Sequence, residues 1–124
     1  MPELPEVETV VRQLRTKLIN RTVTRIKIYD KMVDDLTNII PFNIKEISRR
    51  GKFIIIRTNK GYLLTHLRMT GHFHHNLSKS YEVARFCLDD GTFLTHNSIR
   101  KFGFIKLLTK QQLTKENYKL DFMM

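Results

Sequence analysis

Short runs in which β-branched or aromatic residues alternate with polar ones fill most of the chain after Thr22, and they constrain the fold more than any other feature. Alternation with a period of two is typical of half-buried strands. Asn59-Lys60-Gly61 and Asp89-Asp90-Gly91 tolerate the positive φ of tight turns, so they predict two hairpins. The predicted strands contain Val23, Ile26 and Ile28, then Ile44 and Ile47, Phe53 to Ile56, Tyr62 to Leu67, Glu82 to Leu88, Thr92 to His96, and Phe104 to Leu108.

The start of the chain follows a helical period instead. Its apolar residues recur three or four positions apart: Val7, Val10, Val11, Leu14 and Leu18. This spacing predicts an amphipathic helix, in which Pro5 suits the first turn and Glu6 and Glu8 face the positive end of the helix dipole. Two shorter helices are predicted over Val33 to Ile40 and over Lys110 to Lys119.

These elements predict a single domain that is mainly β with flanking helices. Several short strands without crossover helices favour an antiparallel β-sandwich or flattened barrel with an N-terminal helix over a parallel sheet. A chain of 124 residues is long enough for one such domain and too short for two ordinary ones.

The charge of the chain favours a polyanionic partner. Lys and Arg number 22 against 12 Asp and Glu, which gives a formal net charge of +10. Ribosomal proteins and binders of anionic membranes share such a balance, so charge alone leaves the partner open. The single cysteine, Cys87, excludes an internal disulfide and a zinc site built from several cysteines. With no apolar run of the ~20 residues that cross a bilayer, we expect an intracellular protein.

A proline follows the initiator methionine. Removal of Met1 would leave Pro2 with a free secondary amine, and an amine of this kind can attack a sugar C1′ or an aldehyde to form a Schiff base. With an ordinary pKa of roughly 8, about a tenth of such amines are neutral at pH 7. The alternative is that Pro2 and Pro5 only stiffen the entry to the helix.

The opening Met-Pro-Glu-Leu-Pro-Glu-Val-Glu-Thr resembles the start of the formamidopyrimidine-DNA glycosylase and endonuclease VIII family, and most closely its formamidopyrimidine branch. The resemblance implies catalytic roles for three residues: Pro2 as the nucleophile, Glu3 as the acid that protonates the opening deoxyribose, and Glu6 as a supporting carboxylate. Glu8 keeps the role of a helix-start residue.

Two further blocks are similar to parts of this family. Arg49 to Ile56 resembles the strand that bears a catalytic lysine, here Lys52, which would contact the phosphate near the lesion; an ordinary surface lysine is the alternative. His66 to Gly71 resembles the loop that inserts a methionine into the duplex, here Met69. In this block His66 would lie near a backbone phosphate. Arg68 stands where the family usually has glycine, and it would either alter the loop or add a phosphate contact. Taken singly, Met69 is also typical of a core position, and His66 of a structural hydrogen-bonding group.

A last block, Ser98 to Gly103, resembles the loop whose arginine and phenylalanine enter the duplex with the methionine. Arg100 would hydrogen-bond the base left unpaired, and Phe102 would wedge between neighbouring bases. Ser98-Ile99 replaces the Asp-Pro that the family usually has before the basic pair. Tyr81 or a neighbour takes the place of a histidine that contacts DNA.

The resemblance covers nearly the whole chain and implies a base-excision repair enzyme. Its substrates would be oxidised purines such as 8-oxoguanine and formamidopyrimidines in double-stranded DNA, and an abasic-site lyase activity would follow base removal. The family continues into a helix-two-turn-helix domain and a four-cysteine zinc finger, which we do not expect within residues 1–124. We therefore expect no cofactor in this chain, and a monomer. A non-catalytic DNA-binding remnant and an RNA-binding module remain as alternatives.

Overall fold

The computed structural model describes residues 4–29, 33–51, 53–66, 71–75, 82–98 and 104–114; within these ranges it describes only the backbone of residues 4–6, 71, 72, 74, 75, 98 and 104. One helix precedes eight strands. The elements are α1 (Leu4–Leu18), β1 (Thr22–Ile28), β2 (Phe42–Arg50), β3 (Phe53–Thr58), β4 (Gly61–His66), β5 (Gly71–His75), β6 (Glu82–Leu88), β7 (Phe93–Ser98) and β8 (Phe104–Leu108).

The strands pair in the order β5-β7-β6-β1-β2-β3-β4-β8, and every pairing between neighbours is antiparallel. The order divides into two halves of four strands. We call β5, β7, β6 and β1 the first half, and β2, β3, β4 and β8 the second half. In the register of β1 and β2 two residue pairs join them, Thr22 with Asn43 and Val23 with Phe42. Ile44 of β2 also forms backbone hydrogen bonds with Asn20 and Arg21, directly before β1. The predicted antiparallel β-sandwich with an N-terminal helix is confirmed.

The inner faces of both halves form the main core. A void of only about 20 Å³ remains between them, which has room for about one water molecule. Between the described strands the interior therefore has no room for a nucleobase. The void is lined by apolar side chains of both halves, among them Ile56, Leu63 and Ile105 of the second half and Phe73, Phe86 and Leu94 of the first.

Helix α1 packs onto the sandwich through the apolar stripe that the sequence predicted. Val7, Val11, Leu14 and Leu18 are all buried in the main core. Arg15 also donates from Nε to the carbonyl oxygen of Ile47 on β2, at 2.7 Å. Packing and this hydrogen bond hold the middle and the end of the helix on the second half.

The short helix at residues 110–114 is capped by a reciprocal pair of hydrogen bonds. The backbone N–H of Gln112 donates to Thr109 Oγ1, and the backbone N–H of Thr109 donates to Gln112 Oε1. This arrangement is a capping box. Leu113 packs with Phe53, Ile55 and Leu64 in a second apolar cluster on the outer face of the second half. The predicted helix over Lys110 to Lys119 is confirmed as far as residue 114; residues 115–119 lie outside the described part.

The predicted helix over Val33 to Ile40 is wrong. Val33 forms a parallel bridge with Ile105, and the backbone N–H of Asp34 donates to the carbonyl oxygen of Ile105. Val33 and Leu36 are buried, so their spacing satisfies the core without helical backbone. Residues 37–39 form a turn, in which Asp35 accepts from the backbone and hydroxyl of Thr37.

Candidate functional site

Several strands of both halves begin or end at one end of the sandwich, which we call the loop end. In the second half, the register pairs Arg50 with Phe53, Phe53 with His66, and His66 with Phe104. In the first half, Gly71 pairs with Ser98, and Glu82 pairs with Asn97 next to it. These residues are the last or first of their strands, or lie one position inside. The opposite end, the turn end, carries the predicted turns at residues 59–60 and 89–90.

The sequence-predicted site residues lie almost entirely on chain segments that start or finish at the loop end. Eight of them fall outside the described residues: Pro2, Glu3, Lys52, Arg68, Met69, Tyr81, Arg100 and Phe102. Their neighbours in the strands are described. Lys52 stands between Arg50 and Phe53, which pair with each other, and Tyr81 directly precedes Glu82. Glu6 lies in α1, but only its backbone is described.

Residues 67–70 and 99–103 connect the same two places in the sandwich. The first segment leads from His66 of β4 to Gly71 of β5, and the second leads from Ser98 of β7 to Phe104 of β8. His66 and Phe104 are a register pair, and so are Gly71 and Ser98. Both segments therefore link a strand of one half to a strand of the other, and in each half their two endpoints are paired with each other at the loop end.

His66 is the one predicted DNA-contacting residue whose side chain the structure describes. Its side chain is 5% exposed. The imidazole meets the Phe53 ring edge to face, with ring centroids 4.7 Å apart and an interplanar angle of 71°. A ring so placed is held rigidly, and its predicted contact with a phosphate stays a prediction.

An ion pair connects α1 to the loop end of β2. Arg49 Nε donates to Glu8 Oε2 at 2.8 Å, and Arg49 Nη1 donates to the carbonyl oxygen of Gly51 at 3.0 Å. The hydrogen bond from Arg49 lowers the pKa of the Glu8 carboxyl below its ordinary value of 4.5, and the charges of Arg49 and Arg12 act in the same direction. Glu8 is therefore an anion at neutral pH. Sequence reasoning gave it only a role at the helix start.

Gly51 has a backbone conformation that the β2–β3 connection requires. Its φ is 59°, and because Arg50 pairs with Phe53 the connection has two residues, Gly51 and Lys52. Two-residue hairpin connections use positive φ at the first central position, where glycine carries no Cβ penalty. The Arg49 hydrogen bond to the Gly51 carbonyl fixes the orientation of this turn from outside.

A second polar group stands at the loop end of β6 and β7. Arg85 makes two hydrogen bonds to Glu82, Nε to Oε2 and Nη2 to Oε1, both at 2.9 Å. The guanidinium also lies over the Phe93 ring, 4.3 Å from its centroid. Such a bidentate pair, backed by an aromatic face, fixes the strand directly after Tyr81. Beside it, Asn97 Nδ2 donates to Thr95 Oγ1, and both side chains are buried.

An open groove of about 320 Å³ lies on the outer face of the second half. Glu46 and Arg57 form an ion pair in it, with Arg57 Nε 3.3 Å from Glu46 Oε2. Basic residues thus continue from the loop end along β2 and β3. The groove is lined by Glu46, Ser48, Arg49, Arg50, Ile55, Arg57, Tyr62 and Leu113.

Within the described ranges, no three His, Cys, Asp or Glu residues come close enough together to bind a metal ion. The family's four-cysteine zinc site also cannot be made from one cysteine. Among the helices that the structure describes, none has the length and apolar composition needed to cross a membrane.

Comparison with known proteins identifies the family. The sequence profile of the formamidopyrimidine-DNA glycosylase N-terminal domain matches residues 1–105. The chain belongs to the formamidopyrimidine-DNA glycosylase family. Curated formamidopyrimidine-DNA glycosylases are similar along most of this chain: one from an Exiguobacterium strain is 36% identical over 124 residues, and one from Streptococcus mutans is 33% identical over 132 residues.

The likeness extends to solved structures of formamidopyrimidine-DNA glycosylases. A complex of the Lactococcus lactis enzyme with DNA containing an abasic site superimposes with a TM-score of 0.87 at 29% identity, over 95% of this chain. A mutant of the same enzyme in complex with DNA containing Fapy-dG gives a TM-score of 0.88. The chain spans 45% of the length of both curated relatives named above and 47% of that of the two crystallised enzymes.

Proposed function

We propose that this protein is a base-excision repair DNA glycosylase with abasic-site lyase activity, acting on oxidised purines in double-stranded DNA. The observation that carries the proposal is the convergence of strand termini at the loop end. The neighbours of Lys52, of residues 67–70 and of residues 99–103 are paired with one another there. The residues predicted from separate sequence blocks directly follow or precede these strand ends in the sequence, which supports a composite site at the loop end.

The proposed reaction begins with the neutral amine of Pro2. Its lone pair attacks C1′ of the damaged nucleotide, the glycosidic bond breaks, and the bonding electrons leave with the base. The proline nitrogen then gives up its proton, which the departing base takes up, so that the nitrogen regains a lone pair. Glu3 protonates the ring oxygen as the deoxyribose opens, giving an iminium between the proline nitrogen and C1′. Glu6 supports this exchange of protons as a second carboxylate.

The lyase step uses the same covalent adduct. Loss of a proton from C2′ lets the C3′–O bond break, and the 3′ phosphate leaves with the bonding electrons. Water then hydrolyses the iminium and regenerates the free proline amine. The steps balance without an oxidant, a reductant or a cofactor. Lys52 would contact the phosphate near the lesion, where its ammonium offsets the negative charge.

The two crossing segments supply the duplex contacts in this proposal. Flipping a base out of the stack costs a few kcal/mol, and an apolar side chain that fills the gap offsets part of that cost. Met69 takes this role, Phe102 wedges beside it, and Arg100 pairs with the estranged base. His66, Arg68 and Tyr81 would contact phosphates. Because both segments start and finish at paired strand ends, Met69 and Arg100 would approach the duplex from one side.

The comparisons support DNA as the partner. The crystallised relative is bound in separate structures to DNA containing an abasic site, an oxidised pyrimidine and Fapy-dG. A genomic substrate implies work inside the cell, and we propose that the protein acts as a monomer. The second candidate is a DNA-binding remnant without catalysis, which is favoured by the formal net charge of +10.

Mass spectrometry separates the two candidates. The purified protein is incubated with a duplex containing one abasic site and treated with borohydride, which reduces an iminium to a stable amine. The glycosylase proposal predicts a protein that begins at Pro2 and gains the mass of one oligonucleotide strand, located at Pro2 by peptide mapping. Tight binding of the duplex with no covalent product would instead identify the remnant.

A further inference from the structure

Glu8 and Arg49 form the polar connection from the first turns of α1 to the β2–β3 turn. One guanidinium serves both elements: Nε binds the carboxylate of Glu8, and Nη1 binds the carbonyl oxygen of Gly51. The two partners lie 41 and 2 positions from Arg49 in the sequence. Both side chains of the ion pair are about one third exposed, so solvent screens the pair less than it screens a fully exposed one.

Other charged groups near Glu8 cannot make this connection. Arg12 approaches Glu8 Oε1 at 3.4 Å, but it stands four positions along the same helix and is 75% exposed. Arg15 does reach the sheet, yet it binds the Ile47 carbonyl, two turns of helix after Glu8. In the described part of the chain, the Glu8–Arg49 pair is the side-chain hydrogen bond between helix and sheet that is closest to the helix start.

The apolar part of the interface is sufficient to hold α1 on the sheet when this ion pair is absent. Val7, Val11, Leu14 and Leu18 are buried and supply the apolar contact, which is not directional. Packing of this kind keeps the helix on the sheet, whereas the hydrogen bond from Arg49 Nε to Glu8 is directional and opposes sliding and rotation of the helix start. Losing the pair therefore alters the alignment of the helix start more than the stability of the fold.

We infer that the Glu8–Arg49 pair is a positioning device, which aligns the chain start bearing Pro2 and Glu3 with the turn bearing Lys52. The inference rests on the proposed function, because it names what has to be aligned. Glu8 and Arg49 touch no reacting atom in it; they act through the helix start and the Gly51 carbonyl. A displacement of about 1 Å between reacting groups lowers rates on the order of 100-fold.

The test compares three variants of the full chain. Glu8→Ala removes the carboxylate. Arg49→Lys keeps the positive charge but lacks the planar fork that reaches both acceptors. Each is expected to lower the rate of borohydride trapping on abasic duplex at least tenfold, while the dissociation constant for that duplex changes less than threefold. The Glu8→Ala/Arg49→Lys double variant is expected to be no slower than the slower single variant, since both remove one connection.

Glu46 and Arg57 supply the matched control. They form a more exposed ion pair between β2 and β3, away from the loop end, with Arg57 Nε 3.3 Å from Glu46 Oε2. Glu46→Ala should leave the trapping rate within twofold of the wild type. The fall in the melting temperature of Glu46→Ala gives the loss of stability expected when an ion pair on this sheet is broken. A trapping rate in Glu8→Ala equal to that in Glu46→Ala would overturn the inference.

Amide hydrogen exchange of the free protein supplies a readout that needs no activity. Glu8→Ala should speed exchange several-fold both in the first turns of α1 and at Gly51, whereas Glu46→Ala should change neither. Faster exchange in the helix alone would overturn the inference, because the turn would then be independent of the pair. If wild-type protein traps no DNA, the proposed function fails, and exchange still decides whether the pair couples the two elements.

Discussion

Phe53 and His66 face each other across β3 and β4, with ring centroids 4.7 Å apart and ring planes at 71°. Edge-to-face pairs of this kind stabilise a fold by about 1 kcal/mol beyond the burial of their surface. Phe53 follows Lys52 directly, and His66 is the last residue before the segment that bears Met69. The pair thus connects, through packing, the strand ends next to two segments for which we propose a function.

His66→Phe separates this packing role from the predicted phosphate contact. The variant keeps an aromatic ring beside Phe53 but loses the ring N–H. A hydrogen bond to a charged group contributes about 1.5 to 3 kcal/mol, so we expect DNA affinity to fall about tenfold while the ring packing is kept. Fluorescence anisotropy with abasic duplex measures the affinity, and thermal denaturation checks the fold. Unchanged affinity would leave His66 a purely structural role.

Blocking the amine of Pro2 should abolish covalent trapping. A fusion protein joined to Pro2 through an amide bond leaves that nitrogen without an available lone pair. We expect no borohydride-stable adduct while the fusion is intact, and full trapping after a protease has released Pro2. Mass spectrometry of both forms is the measurement. An adduct on the intact fusion would remove Pro2 from the mechanism.

Met69→Ala should affect base removal far more than strand cleavage. The wedge is needed when a paired base has to leave the stack, and much less when the site already lacks a base. We expect glycosylase activity on duplex containing 8-oxoguanine to fall at least tenfold, with lyase activity on a ready-made abasic site reduced less than threefold. Gel assays on the two substrates give both rates. Equal losses would indicate that Met69 belongs to the core.

Gly51→Ala and Gly91→Ala form a matched pair at opposite ends of the sandwich. Both glycines have positive φ, 59° and 85°, where a Cβ costs on the order of 1 kcal/mol. Similar losses of stability are expected from chemical denaturation of both variants. Only Gly51→Ala should slow trapping, because it disturbs the turn that carries Lys52. A comparable loss of trapping in Gly91→Ala would show that the rate follows stability alone.

The pH dependence of stability should report the Glu8–Arg49 pair. Arg49 lowers the pKa of Glu8 in the folded protein, so the carboxyl releases its proton more readily when folded than when unfolded. The resulting stabilisation is present above the ordinary value of 4.5 and is lost as the pH falls through the lower folded value. Wild type should therefore melt above Glu8→Ala at pH 7, with the gap closing in acid. If the difference in melting temperature between the two proteins grew below pH 4.5, the pair would not be the source of the stabilisation.

The sequence predicted those helices and strands whose conformation follows from the hydrophobic pattern of their own residues. The apolar stripe of α1 and the alternation in β1 and β6 need no knowledge of partners. Strand β5 was missed because Gly71–His75 is mostly histidine, and its pairing with β7 defines it. The segment from Val33 was taken for a helix because spacing alone does not reveal that Ile105 bridges it.

The candidate site likewise contains residues that the sequence could predict and residues whose contacts only the structure reveals. The family motifs predict roles for Pro2 and Lys52, which stay predictions because both lie outside the described residues. Glu8 was assigned only to the helix start because its partner, Arg49, is distant in sequence. Contacts across 41 positions leave no local signal in one sequence. The Glu82–Arg85 pair lies within one strand, but its stacking on Phe93 depends on the neighbouring strand β7.

The tight core between the two halves has a mechanical consequence. Thr22 and Val23 join the halves through strand pairing at the turn end, while apolar side chains of both halves pack into one core with a void of only about 20 Å³. Turning one half against the other would break this packing, so the core opposes such a rotation. A site assembled on strand ends of both halves inherits that stiffness, and its parts need little rearrangement when a ligand arrives.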